Sequence, residues 1–237
     1  MADTGRTNAA VLELKNNFRE MHQRFLTQTN DVETAWHFAR ACYDMADLTQ
    51  NNTEKAEFAA QGIAAARLGL SENSNSAPAH YYLGMTLGEL ADTKHNLSAL
   101  RMVREMEREF LAALALDKHF DHAGPDRNLG LLYWQAPSIG SIGSRSKARQ
   151  HLLAAVELAP EFPENRLNLI EAYLKWGDRA EALRQLSQLE RIWPDAHKQF
   201  TGDEWALSWA DWERRLEVAE KKLEGAVRTT ESPHSVR

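Results

Sequence analysis

The side chains best suited to recognition recur at equivalent positions of successive predicted helices. They mix aromatic, charged and amide groups, and we predict that they line a binding groove: His37, Asp44, Met45, Tyr81, Met85, Glu89, Arg127, Leu131, Trp134, Gln135, Leu167, Glu171 and Lys175. Such a mixture suits an extended peptide or a small acid better than a purely apolar ligand. The alternative is that these residues only complete the surfaces of their helices.

A second candidate site follows Trp134, where the segment APSIGSIGS runs from Ala136 to Ser144. Glycines let backbone amides approach a ligand, and the next helix start, near Lys147, favours an anion. The predicted contacts are Ser138, Gly140, Ser141, Gly143 and Arg145. The segment lacks the phosphate-loop lysine spacing and follows a helix instead of a strand, so nucleotide binding is not predicted. The alternative is a long loop that packs against its own helices.

No metal, cofactor or catalytic site is predicted. Four potential metal ligands lie within six residues, but neighbouring side chains in a linker seldom converge on one ion: Asp117, His119, Asp121 and His122. No Ser-His-Asp, Cys-His or paired-carboxylate arrangement stands out. The alternative to a non-catalytic protein is a ligand-binding or enzymatic pocket built on Arg127, Trp134, Glu171 and Lys175.

Two stretches repeat one helix-turn-helix pattern and would position these side chains. The first pattern is carried by Gly130, Tyr133, Ala148, Leu152, Ala155 and Pro160, and the second by Tyr173, Ala182, Leu186, Leu189 and Pro194. Small and large apolar residues at these spacings resemble the tetratricopeptide repeat (TPR), in which two helices interlock before a proline stop. Gly130 falls where the two helices approach each other most closely.

The whole chain fits an all-α fold, a right-handed superhelix of about four TPR-like helix pairs with N- and C-terminal capping helices. Residues 1–30 hold the N-terminal tail and cap, and residues 31–198 hold four units, at 31–71, 77–118, 124–160 and 162–194. The C-terminal cap covers 199–228, and a disordered tail covers 229–237. Trp193, Trp205, Trp209 and Trp212 form the densest aromatic cluster, which predicts a packing seam for the C-terminal cap.

Composition limits the classes of partner. The net charge of -6 over 237 residues gives no general attraction for phosphate backbones, so no nucleic-acid partner is expected. No apolar run approaches the length that spans a bilayer, so no membrane insertion is expected. Cys42 is the single cysteine, and its apolar helical surroundings predict a small buried side chain. As written, the chain is expected to be cytoplasmic, or periplasmic if a leader was removed.

Longer segments resemble the TatT component associated with some tripartite ATP-independent periplasmic (TRAP) transporters. The likeness rests on GPDRNLGLLYWQAPSIGSIGS, on ARQHLLAAVELAPEFPENRLNLIEAYLKWGDRAEAL, and on the pair Asn165 and Arg166 within the latter. This resemblance implies an α-helical, oligomeric protein that contacts a solute-binding partner or its ligand. The long connection from Ala91 to Arg104 is similar to that of the regulators of microtubule dynamics. That likeness implies a cytoskeletal adaptor, which would need a basic patch facing tubulin.

These observations predict a non-catalytic TPR scaffold. It would bind a protein partner, or a small ligand presented by one, through the groove and the loop from Ala136 to Ser144. The TatT resemblance adds an association with a TRAP transporter. A homo-oligomer and a small organic ligand remain open.

Overall fold

The computed structural model describes residues 4–28, 30–94, 97–138 and 140–224. Within these residues there are ten α-helices, one short 3-10 turn at Asp203–Trp205, and no strand. The helices are α1 Thr4–Thr27, α2 Val32–Leu48, α3 Asn52–Glu72, α4 Ala77–Asp92, α5 Leu97–Leu116, α6 Phe120–Gln135, α7 Arg145–Leu158, α8 Pro163–Trp176, α9 Arg179–Gln199 and α10 Ala206–Glu224. The prediction of an all-α chain of helix pairs is confirmed. The tail predicted at 229–237 lies outside the described residues.

The helices form four consecutive pairs, which are α2 with α3, α4 with α5, α6 with α7, and α8 with α9. The chain divides into two compact units. One contains residues 11–158, and the other contains residues 1–10 with 159–237. The first three pairs therefore belong to the 11–158 unit, and the fourth pair lies with α10 in the other unit. The division into four repeats and two caps, with its boundaries, stays a prediction.

Short polar side chains begin three of the helices. Asp31 accepts hydrogen bonds from the first backbone amides of α2, and Asn51 does the same for α3. Ser76 caps α4, and Pro78 stands in its first turn, where a missing amide hydrogen costs nothing.

The 11–158 unit is closed at one end by α1. Phe18 packs against Phe38 at 5.7 Å and edge-on against Phe58 at 5.2 Å between ring centroids. Cys42 is fully buried and unpaired, as predicted, and burial raises the pKa of its thiol. None of the helices in the described ranges is both long and apolar enough to cross a membrane.

Close approach between α6 and α7 depends on Gly130, as its position in the repeat predicted. A Cβ atom added there would lie 2.7 Å from the Leu152 Cγ and 3.0 Å from the Leu152 backbone nitrogen. The first distance is shorter than Cβ atoms tolerate, and the second would require the α7 backbone to shift. Because backbone cannot move aside as a flexible side chain does, a larger residue would push the two helices apart.

The other unit is built around α8, α9 and α10. The turn between α8 and α9 is made by Gly177, with a left-handed φ of +78°. The sequence predicted a helix end at Pro194, and this is wrong, because α9 continues to Gln199. Proline removes one helical hydrogen bond, but Ala196 and Phe200 beyond it are buried and hold the last turn in place.

The predicted aromatic seam is confirmed within this unit. Trp212 is almost fully buried and meets the rings of Phe162 at 5.3 Å and Trp209 at 4.9 Å, both edge-on. Trp193 of α9 packs edge-on against Trp209 at 5.3 Å. The tryptophans therefore attach α10 to the helices before it.

We predict that Gly130→Ala lowers the free energy of unfolding by about 1–3 kcal/mol, because the new methyl group overlaps the α7 backbone. Gly88→Ala is the matched control. Its added Cβ would meet only the flexible end of Met106, at 3.1 Å, and alanine favours the helix by up to about 1 kcal/mol. Urea denaturation of both variants measures the difference, and equal effects would contradict the close-approach role of Gly130.

Candidate functional site

The first helices of the three pairs in the 11–158 unit, α2, α4 and α6, meet at one aromatic cluster. The ring of Trp36 on α2 stacks parallel to that of Tyr82 on α4, 5.9 Å away and inclined by 4°. Phe120, at the start of α6, sits edge-on to Trp36 at 6.3 Å and to Tyr82 at 6.1 Å. We call this side of α2, α4 and α6, with the neighbouring charges of Arg40, Asp44 and Asp121, the first-helix face.

The first-helix face contains a strained turn at the start of α6. Asp121, His122 and Ala123 have φ values of 50°, 54° and 62°, a left-handed conformation that costs about 1–3 kcal/mol for each non-glycine residue. The sequence predicted a plain linker up to Pro125. Three such residues in succession persist only if other contacts fix them.

Arg127 supplies those contacts. Its Nη1 donates to the backbone carbonyl oxygens of Asp121, at 3.0 Å, and His122, at 3.2 Å. Its Nη2 donates to the Asp121 carboxylate at 2.5 Å and to the Tyr81 hydroxyl at 3.2 Å. Tyr81 itself donates to that carboxylate at 2.5 Å and accepts from the Asn128 amide at 2.9 Å. We call Arg127, Asp121 and Tyr81 the turn clamp.

Gly124 completes the turn clamp by leaving room for it. A Cβ atom at this position would lie 2.7 Å from the Tyr81 hydroxyl oxygen. Glycine is therefore required for the phenol to reach Asp121.

Asp44 is the most perturbed carboxylate of the first-helix face. Burial raises its pKa to about 6, Arg40 opposes the increase, and Asp47 and Asp121 add to it. The Asp44 side chain is 20% exposed, and its nearest cation, Arg40, lies 4.0 Å away. A partly buried carboxylate with a strongly raised pKa is a candidate for a functional site.

The residues predicted for the groove divide into three groups in this unit. His37 and Gln135 are exposed, and Asp44, Met85, Leu131 and Trp134 are half-buried. Tyr81 and Arg127 are buried, with Arg127 only 5% exposed. Glu89 is bound to Lys55 on α3. Tyr81, Arg127 and Glu89 thus have partners within the unit, while the groove assignment as a whole stays a prediction.

Glu171 and Lys175 lie in the other unit. Glu171 accepts two hydrogen bonds from Arg215 of α10, at 2.7 and 3.0 Å, and Lys175 is exposed. The alternative pocket of Arg127, Trp134, Glu171 and Lys175 stays a prediction. Two of its charged members are ion-paired inside their own units.

The Ala136 to Ser144 loop turns back on the end of α6. The amide of Gly143 donates to the Pro137 carbonyl at 3.1 Å, and that of Ser144 donates to the Tyr133 carbonyl at 2.9 Å. Ser138, Gly140 and Arg145 are exposed, Ser141 is half-buried, and residue 139 lies outside the described ranges. Anion binding by this loop stays a prediction, with two of its amides already bonded internally.

Two of the four linker residues considered as metal ligands have other partners. Asp117 accepts from the backbone amide of His119 at 2.9 Å, and Asp121 belongs to the turn clamp. In the part of the chain that the structure describes, no three His, Cys, Asp or Glu side chains are arranged to hold a metal ion.

Sequence reasoning missed Trp36, Arg40 and Tyr82 as members of this face. The pattern assigns Trp36 to packing and does not single out Tyr82, because aromatic residues at helical spacing usually belong to a core. The signal that could have found them is the adjacency of Trp36 to His37 and of Tyr82 to Tyr81, since each pair places a second ring beside a predicted groove residue.

The fold defines a TPR-like helical repeat protein. A thermophilic TPR protein of Thermus thermophilus, TTC0263, superposes with a TM-score of 0.63 at 17% identity, covering 92% of this chain and 98% of that one. The structure of MamA superposes with a TM-score of 0.52 at 20% identity, covering 84% and 97%. At these identities the likeness concerns the fold alone.

The family is identified by sequence. The family model of Regulator of microtubule dynamics protein 1-3 matches residues 4–123, about half of the chain, and the chain belongs to this family. Regulator of microtubule dynamics protein 3 of Rattus norvegicus is 24% identical in an alignment of 173 residues that covers 66% of this chain and 36% of the relative. The chain thus spans about a third of the length of that curated relative.

We predict that Arg127→Lys lowers the free energy of unfolding by about 2–4 kcal/mol, because one ammonium group cannot reach the carboxylate and both carbonyls together. Arg191→Lys, at an exposed position of α9, is the control and should change the free energy of unfolding by less than about 0.5 kcal/mol. Thermal and urea unfolding measure both. An Arg127→Lys protein as stable as the wild type would show that the turn needs no clamp.

Asp44 gives a pH-dependent prediction. Its folded-state pKa of about 6 lies above the ordinary value of 3.8, so the fold favours the protonated acid, and stability falls as pH rises through that interval. Asp44→Asn removes the charge and should raise the free energy of unfolding by about 1–3 kcal/mol near neutral pH. Near pH 4 the gain should vanish. Urea melts at both pH values test this, and a gain independent of pH would contradict it.

Proposed function

We propose that this chain is a non-catalytic scaffold that binds an extended segment of a protein partner along the first-helix face. The observation that carries the proposal is the combination of the aromatic cluster with the perturbed carboxylate of Asp44. A half-buried acid beside aromatic side chains suits a segment with a cationic side chain, which can pair with the acid.

The charges on the first-helix face support a cationic partner segment. Asp47 and Asp121 both raise the pKa of Asp44, so negative charge on this face acts on Asp44 even though Asp121 is paired with Arg127. Arg40 is 55% exposed and can donate to backbone carbonyl oxygens of a bound segment. The turn clamp holds Asp121 in place, so the face needs little rearrangement on binding, which lowers the entropic cost of association.

Binding of selected peptides tests the proposal. Cationic peptides selected by phage display on the wild-type chain are measured by fluorescence anisotropy against a His37→Ala/Asp44→Asn variant and a control, Asp195→Asn, at an exposed position of α9. We expect affinity to fall by about tenfold or more in the variant, since central contacts dominate binding energy, and to stay unchanged in the control. Because Asp44→Asn should stabilise the fold at neutral pH, unfolding would not explain a loss. Equal affinity for all three proteins would reject the first-helix face.

Family membership favours a second candidate function, an action on microtubules. The name of the family, Regulator of microtubule dynamics protein 1-3, suggests this action. Co-sedimentation with microtubules assembled from purified tubulin tests it. Retention of the chain in the supernatant at all microtubule concentrations would reject direct binding.

The association with a TRAP transporter, implied by the TatT resemblance, is a separate proposal. Size-exclusion chromatography of the chain with a purified TRAP solute-binding protein tests it, and the same experiment on the chain alone tests self-association. Independent elution of the two proteins would reject the association.

A further inference from the structure

We propose that α5 carries a second docking surface, which binds an acidic peptide segment with an apolar residue beside its carboxylates. The surface consists of Arg101, Arg104, Arg108 and Leu111, which we call the arginine stripe. It lies on a second helix of the 11–158 unit, and so on a different helix from those of the first-helix face. The inference therefore does not depend on the function proposed above.

The spacing of the arginine stripe places its members on one side of α5. Steps of three, four and three residues return to the same helix face, and Arg101 and Arg108 stand about 10 Å apart along the axis. Arg101 and Arg104 are exposed, the Arg108 side chain is 67% exposed, and Leu111 is 43% exposed. A peptide would thus meet three guanidinium groups and then an apolar side chain.

The carboxylates of α5 are directed to neighbouring helices. Glu105 binds Arg67 of α3 at 2.8 Å. Glu107 accepts from the Tyr133 hydroxyl at 2.6 Å and lies 3.5 Å from the Lys147 ammonium. The acids that alternate with the arginines in the sequence are therefore neutralised by other elements.

The third acid, Glu109, is 8% exposed and lies 2.6 Å from the His80 imidazole. Arg108 keeps weak contacts to Glu105, at 3.7 Å, and to Glu109, at 3.4 Å. Arg101 and Arg104 make no ion pair with any residue in the described ranges. The stripe is thus a local excess of positive charge on a chain whose net charge is -6.

This local excess favours a short acidic peptide over larger polyanions. Charges are screened beyond about 8–10 Å at physiological salt, so a peptide held on the stripe senses mainly the arginines. A nucleic acid or an anionic membrane extends over more of the surface and meets the net negative charge. Leu111 adds an apolar contact that a phosphate backbone does not use.

The test uses a fluorescein-labelled peptide of consecutive glutamates followed by leucine, with a glutamine peptide as its uncharged counterpart. An Arg101→Glu/Arg104→Glu variant should bind the glutamate peptide about tenfold or more weakly than the wild type. The matched control, Arg191→Glu/Lys198→Glu, is at exposed positions of α9 and changes the net charge equally. Its affinity for the glutamate peptide should stay within about twofold of the wild-type value. Circular dichroism should be unchanged in both variants. Equal loss in both would show a net-charge effect and overturn the stripe.

Further arms separate the inference from its competitors. Asp44→Asn should bind the glutamate peptide as the wild type does, whether or not the first-helix face proves functional. Phosphatidylserine vesicles and single-stranded RNA should bind more weakly than the peptide at physiological salt. Binding of either probe through Arg101 and Arg104 in preference to the peptide would overturn the inference, as would undiminished binding of the glutamine peptide.

Discussion

The first-helix face depends on one half-buried ion pair, that between Arg127 and Asp121. Without it the left-handed turn before α6 would lose the contacts that offset its strain, and the Asp121 carboxylate would not be fixed beside α4. Tyr81 connects the pair to α4 by donating to the same carboxylate. Packing of helix on helix sets the general position of these elements, whereas this polar contact sets the rotation of the α6 start and places Phe120 against Trp36 and Tyr82.

Asp44 distinguishes the first-helix face from the hydrophobic core, because it is a charged side chain that the fold does not stabilise. Its charge is unfavourable where it stands, since burial raises its pKa, and an amide of the same shape would fit without that cost. Stability near neutral pH does not explain this charge, and its position on the first-helix face fits the binding role proposed above. The same reasoning separates Asp44 from Arg127, which is satisfied inside the unit and serves the fold.

Local features of the sequence were enough to predict much of the fold. Gly130, Gly177 and Asp31 each have a role that depends on one turn or one close contact, and their residue types reveal it. The end predicted at Pro194 failed because burial of Phe200 outweighs the missing hydrogen bond, and burial depends on distant residues. Helical period placed Arg127 on the first-helix side but could not show that its long side chain turns inward to backbone carbonyls. Nor could it show that residues of a linker adopt a left-handed turn that aims Asp121 at Tyr81.

The uneven placement of charge within the 11–158 unit has a consequence for what bulk measurements report. Asp47 and Asp121 act on Asp44, while Arg101 and Arg104 project from α5, so the net charge of the chain does not describe what a ligand meets at either place. An anion-exchange column would respond to the net charge of the chain. A small molecule that approaches the surface would respond to the charges nearest to it, because salt screens the more distant ones.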